Sequence, residues 1–361
     1  MRGEKMEKVL AINPGSTSTK IGLFDGEHCV LQEAIRHPRE ELESFSAVMD
    51  QVEYRCGAIT YFLKEHGVAL ESLAAIVVRG GLLRPVSGGV WLVDEQMRDD
   101  LLRCRFGAHA SNLGAVMAFP WGQKLGIPVY TVDPVTVDEF APLARYSGLK
   151  EIRRQSMSHA LNTKAVARRC AGILGKSYGD VNLVIAHLGS GISVSAHQRG
   201  RMIDVNNANN EGPFSLERTG TLPALALIEM CFNGENSREE MRALVTAKGG
   251  IYSYLQTKDF KEVTERAAAG DSEAREVIEA MAYQVGKEIG AMAAVLHGDV
   301  DAVALTGGMA YSEILVKMIE ARVGFLGRVE VFAGEEELAA LAEGALRALR
   351  GEENPRIYGR D

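Results

Sequence analysis

The stretch VLAINPGSTSTKIGLF, residues 9–24, sets an apolar run against Asn13-Pro14-Gly15, then a hydroxyl-rich segment that includes Ser16 and Ser18, and then Lys20. A glycine turn offering hydroxyls and backbone N–H groups is chemistry for an anion. It is not a P-loop, because no second glycine precedes Lys20 and the residues after the turn alternate as a strand does. The unit reads as strand, tight turn, strand: either a phosphate cradle or an ordinary hairpin. The same design returns at residues 183–196, LVIAHLGSGISVSA, with His187 ahead of a turn on Gly189, Ser190 and Gly191. Asn13 and His187 hold matching places 174 residues apart. A third turn, on Gly307 and Gly308, follows the apolar run 302–305. Paired glycines would let a flat base or ribose approach the backbone closely, although a plain strand-to-helix connection reads the same way.

Two copies of one hairpin, half a chain apart, are the signature of a duplicated α/β domain in which each half offers one phosphate-binding turn. Between and after them, apolar runs at 75–78 and 127–132 read as strands, and the segments 158–171, 222–232 and 272–297 read as helices. The polar, glycine-bearing RYSGLK, 145–150, marks a boundary. The expected domains are therefore 1–150, which carries the acyl and phosphate chemistry, and 151–334, which binds nucleotide. The helix 335–350, acidic at its start and basic at its end, suits a helix dipole and is expected to pack back on the first domain.

A chain of 361 residues with 46% apolar and 24% charged residues has the composition of a globular protein large enough for two or three cores. A net charge of −8 argues against a broad nucleic-acid or membrane footprint, so an anionic ligand must be held by local positive groups. The five cysteines are far apart and lack CxxC spacing, which reads as reduced packing residues in a cytoplasmic protein. No apolar h-region follows MRGEKMEK, so neither export nor anchoring is expected.

Eight strings in order, INPGSTSTK, VRGGLLRP, HASNLGA, TVDPVTVDE, SHALN, AHLGSG, ERTGTLP and LTGGMA, resemble butyrate kinase and the branched-chain fatty acid kinases, close relatives of acetate kinase. The resemblance runs from about residue 9 to 350. It implies a duplicated, ribonuclease H-like, two-domain α/β fold of the actin, Hsp70 and sugar kinase type, with a nucleotide cleft between the domains. It also implies ATP and Mg2+, a short-chain carboxylic acid as substrate, ADP and an acyl phosphate as products, and a homodimer or higher homo-oligomer. One oddity then has a chemical reason. Sugar kinases carry Asp in the first hairpin and activate a hydroxyl with another Asp, whereas Asn13 stands here. A carboxylic acid ionises with a pKa of about 4.3, so it is already a nucleophile at neutral pH and needs no base. What it needs is charge neutralisation, because two anions must meet in line.

By resemblance, Arg218 in ERTGTLP matches the catalytic arginine of acetate kinase, His159 in SHALN the histidine that steadies the transferring phosphoryl, and His187 one that contacts nucleotide phosphates. Asp133 matches an acidic residue near the metal, although Asp133-Pro134 also reads as a turn former. Glu336 resembles the metal-associated glutamate, with the register among Glu335, Glu336 and Glu337 open. The template departs at the carboxylate: its arginine in the strand is replaced by Ile76, so Arg79 or Arg84 takes that role and the other makes a surface ion pair. His109 in HASNLGA joins the expected pocket. Ser158 stands where relatives carry phenylalanine, which is expected to open the pocket toward longer or branched acids. An ATPase switch of the actin or Hsp70 type, or a kinase for a hydroxyl substrate, would share the hairpins and the adenosine turn.

Overall fold

The computed structural model describes residues 7–359. Among them are twelve strands: β1 (Lys8–Pro14), β2 (Ser18–Asp25), β3 (His28–Arg36), β4 (Ala75–Val78), β5 (Val90–Leu92), β6 (Val129–Val132), β7 (Asn182–Leu188), β8 (Ile192–Gln198), β9 (Arg201–Val205), β10 (Ala302–Gly307), β11 (Val329–Ala333) and β12 (Arg356–Ile357). They form two sheets, ordered β12-β5-β6-β4-β1-β2-β3 and β11-β10-β7-β8-β9. In each, an antiparallel meander (β1-β2-β3 or β7-β8-β9) is continued on its first strand by two parallel ones (β4 and β6, or β10 and β11). The duplication read from the two hairpins is thus a duplication of sheet topology.

The chain divides into two compact units, one running to Val137 and resuming at Glu336, the other Asp138–Glu335. The division falls at 137/138, ahead of the polar 145–150 segment. In that segment, Tyr146 bridges Arg153 and Arg145 O accepts from the Arg154 N–H at 3.1 Å, which ties it to the second unit.

In the first unit, β1 is buried along nearly its whole length, and its side chains alternate between two covered faces. Leu10 and Ile12 meet Ile59, Phe62 and Leu63 from the helix Val52–Glu65, together with Leu113 and Met117 from the helix Leu113–Leu125. Each such aliphatic side chain taken out of water contributes about 1.5–3 kcal/mol. The opposite face takes the helix Glu337–Leu349, which packs on β1, β4 and β6. Two glycines permit that approach: a Cβ at Gly22 would press on Phe24 and Leu338, and one at Gly344 would strike Val132.

In the second unit, the sheet lies between two helical layers. Val184, Ala186 and Val194 face Ile278, Met281, Val285 and Ile289 of the helix Ser272–Val295. Leu183, Ile185, Ala302 and Ala304 face Val166, Ala167 and Cys170 of the helix Ala160–Ile173. All five cysteines are free, but only Cys170 is a fully buried packing residue; Cys29 and Cys231 are exposed, which corrects the expectation for those two.

Candidate active site

In the first unit, β1 ends at Pro14 and the chain turns through residues 15–17 into β2, with Asn13 opposite Lys20 in the ladder. The Gly15 N–H donates to Ser18 O at 2.7 Å and closes the turn. Ser16 and Lys20 are exposed and Ser18 is half-buried, so the hydroxyls and the lysine face outward as the hairpin pattern requires. Asn13 is buried and its Nδ2 donates to Glu337 Oε2 at 2.6 Å. Arg79, at the end of β4, pairs with the other oxygen of the same carboxylate. Glu337 thus joins the hairpin to the arginine.

His109 lies near this group. Its Nδ1 accepts from the Ser111 N–H at 3.2 Å and faces Ser111 Oγ at 2.7 Å, which puts the ring proton on Nε2. Burial and then the charge of Arg79 push its pKa below the ordinary histidine value, so the ring is neutral beside a cation.

The Arg84 guanidinium lies over the Tyr358 ring at 4.7 Å, and the Tyr358 hydroxyl donates to Asp100 at 3.2 Å. Asp133 follows β6 in the left-handed region, at φ 40°, with its side chain buried. Its Oδ1 accepts from the Gly89 N–H at 2.7 Å, while its own N–H donates to Gly89 O at 3.0 Å. Gly80 makes room for this turn, because a Cβ there would crowd Pro134 and Thr131.

In the second unit, the turn between β7 and β8 collects the rest. His187 is buried at the end of β7; its Nδ1 is 2.9 Å from Asn162 Oδ1, and its Nε2 is 3.2 Å from Glu335 Oε1. The His159 ring stacks on it, with centroids 3.8 Å apart and 14° between the planes, and His159 Nδ1 is 2.9 Å from Ser193 Oγ. Gly189 and Gly191 are buried while Ser190 is exposed. A Cβ on Gly191 would collide with the Arg218 guanidinium, and one on Gly189 would lie 2.9 Å from His187 Nε2. Arg218 therefore crosses the glycine turn at Gly191, where no side chain stands. Its Nη1 donates to Ala208 O at 3.1 Å. Burial lowers its pKa, against the opposing charge of Glu217, and an arginine so placed is still a full cation. Gly307, at φ 91°, lies against Leu188 of the same hairpin so closely that a Cβ would meet its backbone, whereas at Gly308 a Cβ would meet nothing within 4 Å.

The structure thus gathers Asn13, Arg79 and His109 in one unit, and His159, His187, Gly189, Ser190, Gly191, Gly307 and Arg218 in the other. Ser158 is 4% exposed and its hydroxyl donates to Met202 Sδ at 3.8 Å, within the interior of its unit. Of the three glutamates, Glu337 serves Asn13 and Arg79, Glu335 stands at His187, and Glu336 is the N-cap residue of the last helix.

Residues 141–336, which hold Arg218, both histidines and both glycine turns of the second unit, match the acetokinase family model. The chain belongs to the acetokinase family. Membership carries ATP-dependent phosphorylation of a carboxylate. As a fold, the chain is similar to an acetate kinase from Porphyromonas gingivalis, with a TM-score of 0.75 at 19% identity over 94% of this chain and 99% of that one. It is similar also to a propionate kinase from Francisella tularensis subsp. tularensis SCHU S4, with a TM-score of 0.69 at 20% identity over 94% and 99%. An acetate kinase from Entamoeba histolytica matches with a TM-score of 0.73 at 17% identity over 94% and 98%. These likenesses show the two-domain α/β fold.

Sequence reasoning missed several residues of this acetokinase site. Asn162 and Ser193 hold the two histidines from places close to motifs already in view: Asn162 ends SHALN, and Ser193 follows Gly191 by two. Glu337 was one of three adjacent acids whose register only packing of the last helix decides.

Proposed function

We propose that this acetokinase-family protein phosphorylates a short-chain fatty acid, butyrate or a branched-chain acid, from ATP, reversibly and by direct in-line transfer. The carboxylate oxygen forms a bond to the γ-phosphorus, the bond from that phosphorus to the β,γ-bridging oxygen breaks, and ADP leaves with the electron pair. No proton moves, because the acid enters ionised. The task of the protein is to hold anions together and to neutralise charge as it shifts to the leaving oxygen.

The observation that carries this reading is the Arg218 guanidinium lying on Gly191, a planar set of donors fixed against a glycine turn. In this reading Arg218 and His159 act on the transferring phosphoryl, His187 and the 189–191 turn on the nucleotide phosphates, and Arg79 on the substrate carboxylate. Glu337, engaged by Asn13 and Arg79, acts as a positioner and not as a base. The turn at Gly307 and Gly308 receives the adenosine.

Among the described residues, no group of three His, Cys, Asp or Glu side chains converges as a metal cage. The oxygen donors present fit Mg2+, which binds through one or two carboxylates and completes its shell with phosphate and water. Asp133 and Glu336 would hold it, and the ion would neutralise phosphate charge. Cytoplasmic location and self-association belong to the same proposal; among the described residues, no helix is long and apolar enough to cross a membrane.

The direct test is trapping with hydroxylamine, which converts acyl phosphates to hydroxamates. With ATP and a panel from acetate to isovalerate, hydroxamate should form and be greatest with four-carbon or branched acids. ATP consumption independent of added acid would overturn the proposal in favour of a conformational ATPase.

A further inference from the structure

Arg55, on the helix Val52–Glu65, is completely buried, and every partner of its guanidinium is a neutral oxygen. Nη1 donates to Gly15 O at 2.9 Å, Ser18 O at 3.3 Å and Thr19 Oγ1 at 3.1 Å, and Nη2 to Ser16 O at 3.1 Å. Gln51 Oε1 accepts from Nε at 3.1 Å and from Nη2 at 2.9 Å. The remaining carbonyl of the turn, Thr17 O, accepts from the His37 N–H at 2.9 Å. Three of the four backbone carbonyls from Gly15 to Ser18 are thus held by the Arg55 guanidinium, and Ser18 O also closes the turn by accepting from the Gly15 N–H.

Two consequences follow. A peptide whose carbonyl is held inward turns the opposite edge of its amide plane outward, the arrangement of an anion-binding concavity. A guanidinium buried among neutral oxygens also keeps its whole charge, in surroundings that screen it poorly. The position is costly, since Arg55 stands in the first turn of its helix, where the dipole disfavours a cation. His37 beside it adds no second charge: burial and the arginine lower its pKa to about 4.

We propose that Arg55 is a positioning residue for a phosphate-bearing ligand at the 15–18 turn, both drawing the carbonyls away from the ligand and supplying positive charge from beneath. This rests on the reading of that turn as a phosphate site. The competing account is a clamp that only holds the hairpin together.

Gln51→Glu separates the two, because it preserves the acceptor shape while placing a carboxylate against the guanidinium. Binding of inorganic phosphate and of ATP is read by calorimetry, alongside Tm and the KM for butyrate. The expected result is a Kd for phosphate and ATP raised roughly fivefold or more, with Tm unchanged or higher and the KM for acid within about twofold. A clamp would be strengthened by the new ion pair, so unchanged phosphate and ATP affinity would overturn the proposal. As a second arm, Arg55→Lys should weaken binding less than Arg55→Gln; equal losses would overturn the charge role. Binding is read without turnover, so a wild type that binds ATP but forms no hydroxamate overturns the acid-kinase proposal and leaves this comparison standing.

Discussion

His159 and His187 stack face to face, with ring centroids 3.8 Å apart, each held by its own hydrogen bond: His159 to Ser193 and His187 to Asn162. Neither ring can tilt without displacing the other, so the two should act as one unit. In a double-mutant cycle of His159→Ala and His187→Ala, the effects on kcat/KM should fall short of additivity by about 0.5–3 kcal/mol. Additive losses would mean that the rings work independently.

Arg218 crosses the turn where Gly191 leaves room. Arg218→Ala should lower kcat by a factor on the order of 10³ while nucleotide affinity changes little, as expected for a cation used in the transition state. Gly191→Ala should reproduce much of that loss by displacing the guanidinium. Weak ATP binding with normal turnover in either variant would assign Arg218 to ground-state binding.

Asp133→Asn should need more Mg2+ for half-maximal rate, since a lost ligand is partly offset by metal concentration. Among the glutamates, Glu336→Gln should shift the Mg2+ dependence, Glu337→Gln should act through Arg79 and Asn13, and Glu335→Gln through His187. Mg2+ titrations of each variant check the assignment; a wild-type curve for Asp133→Asn would remove that residue from the metal shell.

His37 is buried with its Nε2 2.8 Å from Thr19 Oγ1, and its pKa is lowered from 6.5 to about 4 by burial and by Arg55. Between those values the unfolded chain takes up a proton that the folded one refuses. The stability contributed by His37 is therefore fully present above about pH 6.5 and is lost as pH falls toward 4, a change of roughly 3 kcal/mol. Urea unfolding at pH 7.5 and 4.5 should show a smaller drop for His37→Gln than for wild type, and equal drops would refute it. His197, fully buried and lowered in the same direction, should leave a residual acid sensitivity in the variant.

Ser158→Phe should act on stability rather than on substrate choice. A ring forced into the buried site beside Met202 overpacks the interior, at a cost of about 1–3 kcal/mol. Tm should fall while the relative rates across the acid series stay as in wild type; a narrowed series with unchanged Tm would return Ser158 to the substrate pocket.

What the sequence determined by itself was local or repeated. Alternation after each glycine turn marks a strand without reference to anything distant, and the recurrence of that pattern around Asn13 and His187 declares the duplicated topology. Where the glycines must stand could also be read, because the need for missing side chains at 189, 191 and 307 is written as residue type. Tertiary structure decided what depends on where an element is docked. The last helix begins at Glu337, with Glu336 as its N-cap and Glu335 before it, so which of the three meets Asn13 is set by where that helix starts and how it lies on β1. Ser158 and His159 adjoin in sequence, yet one turns to Met202 and the other to His187. Arg55, in a surface-like run of the helix Val52–Glu65, looks solvent-facing until Gly15, Ser16 and Ser18 are brought to it from about forty residues away. The partners of a buried charge come from distant chain segments, and no spacing rule along the chain announces them.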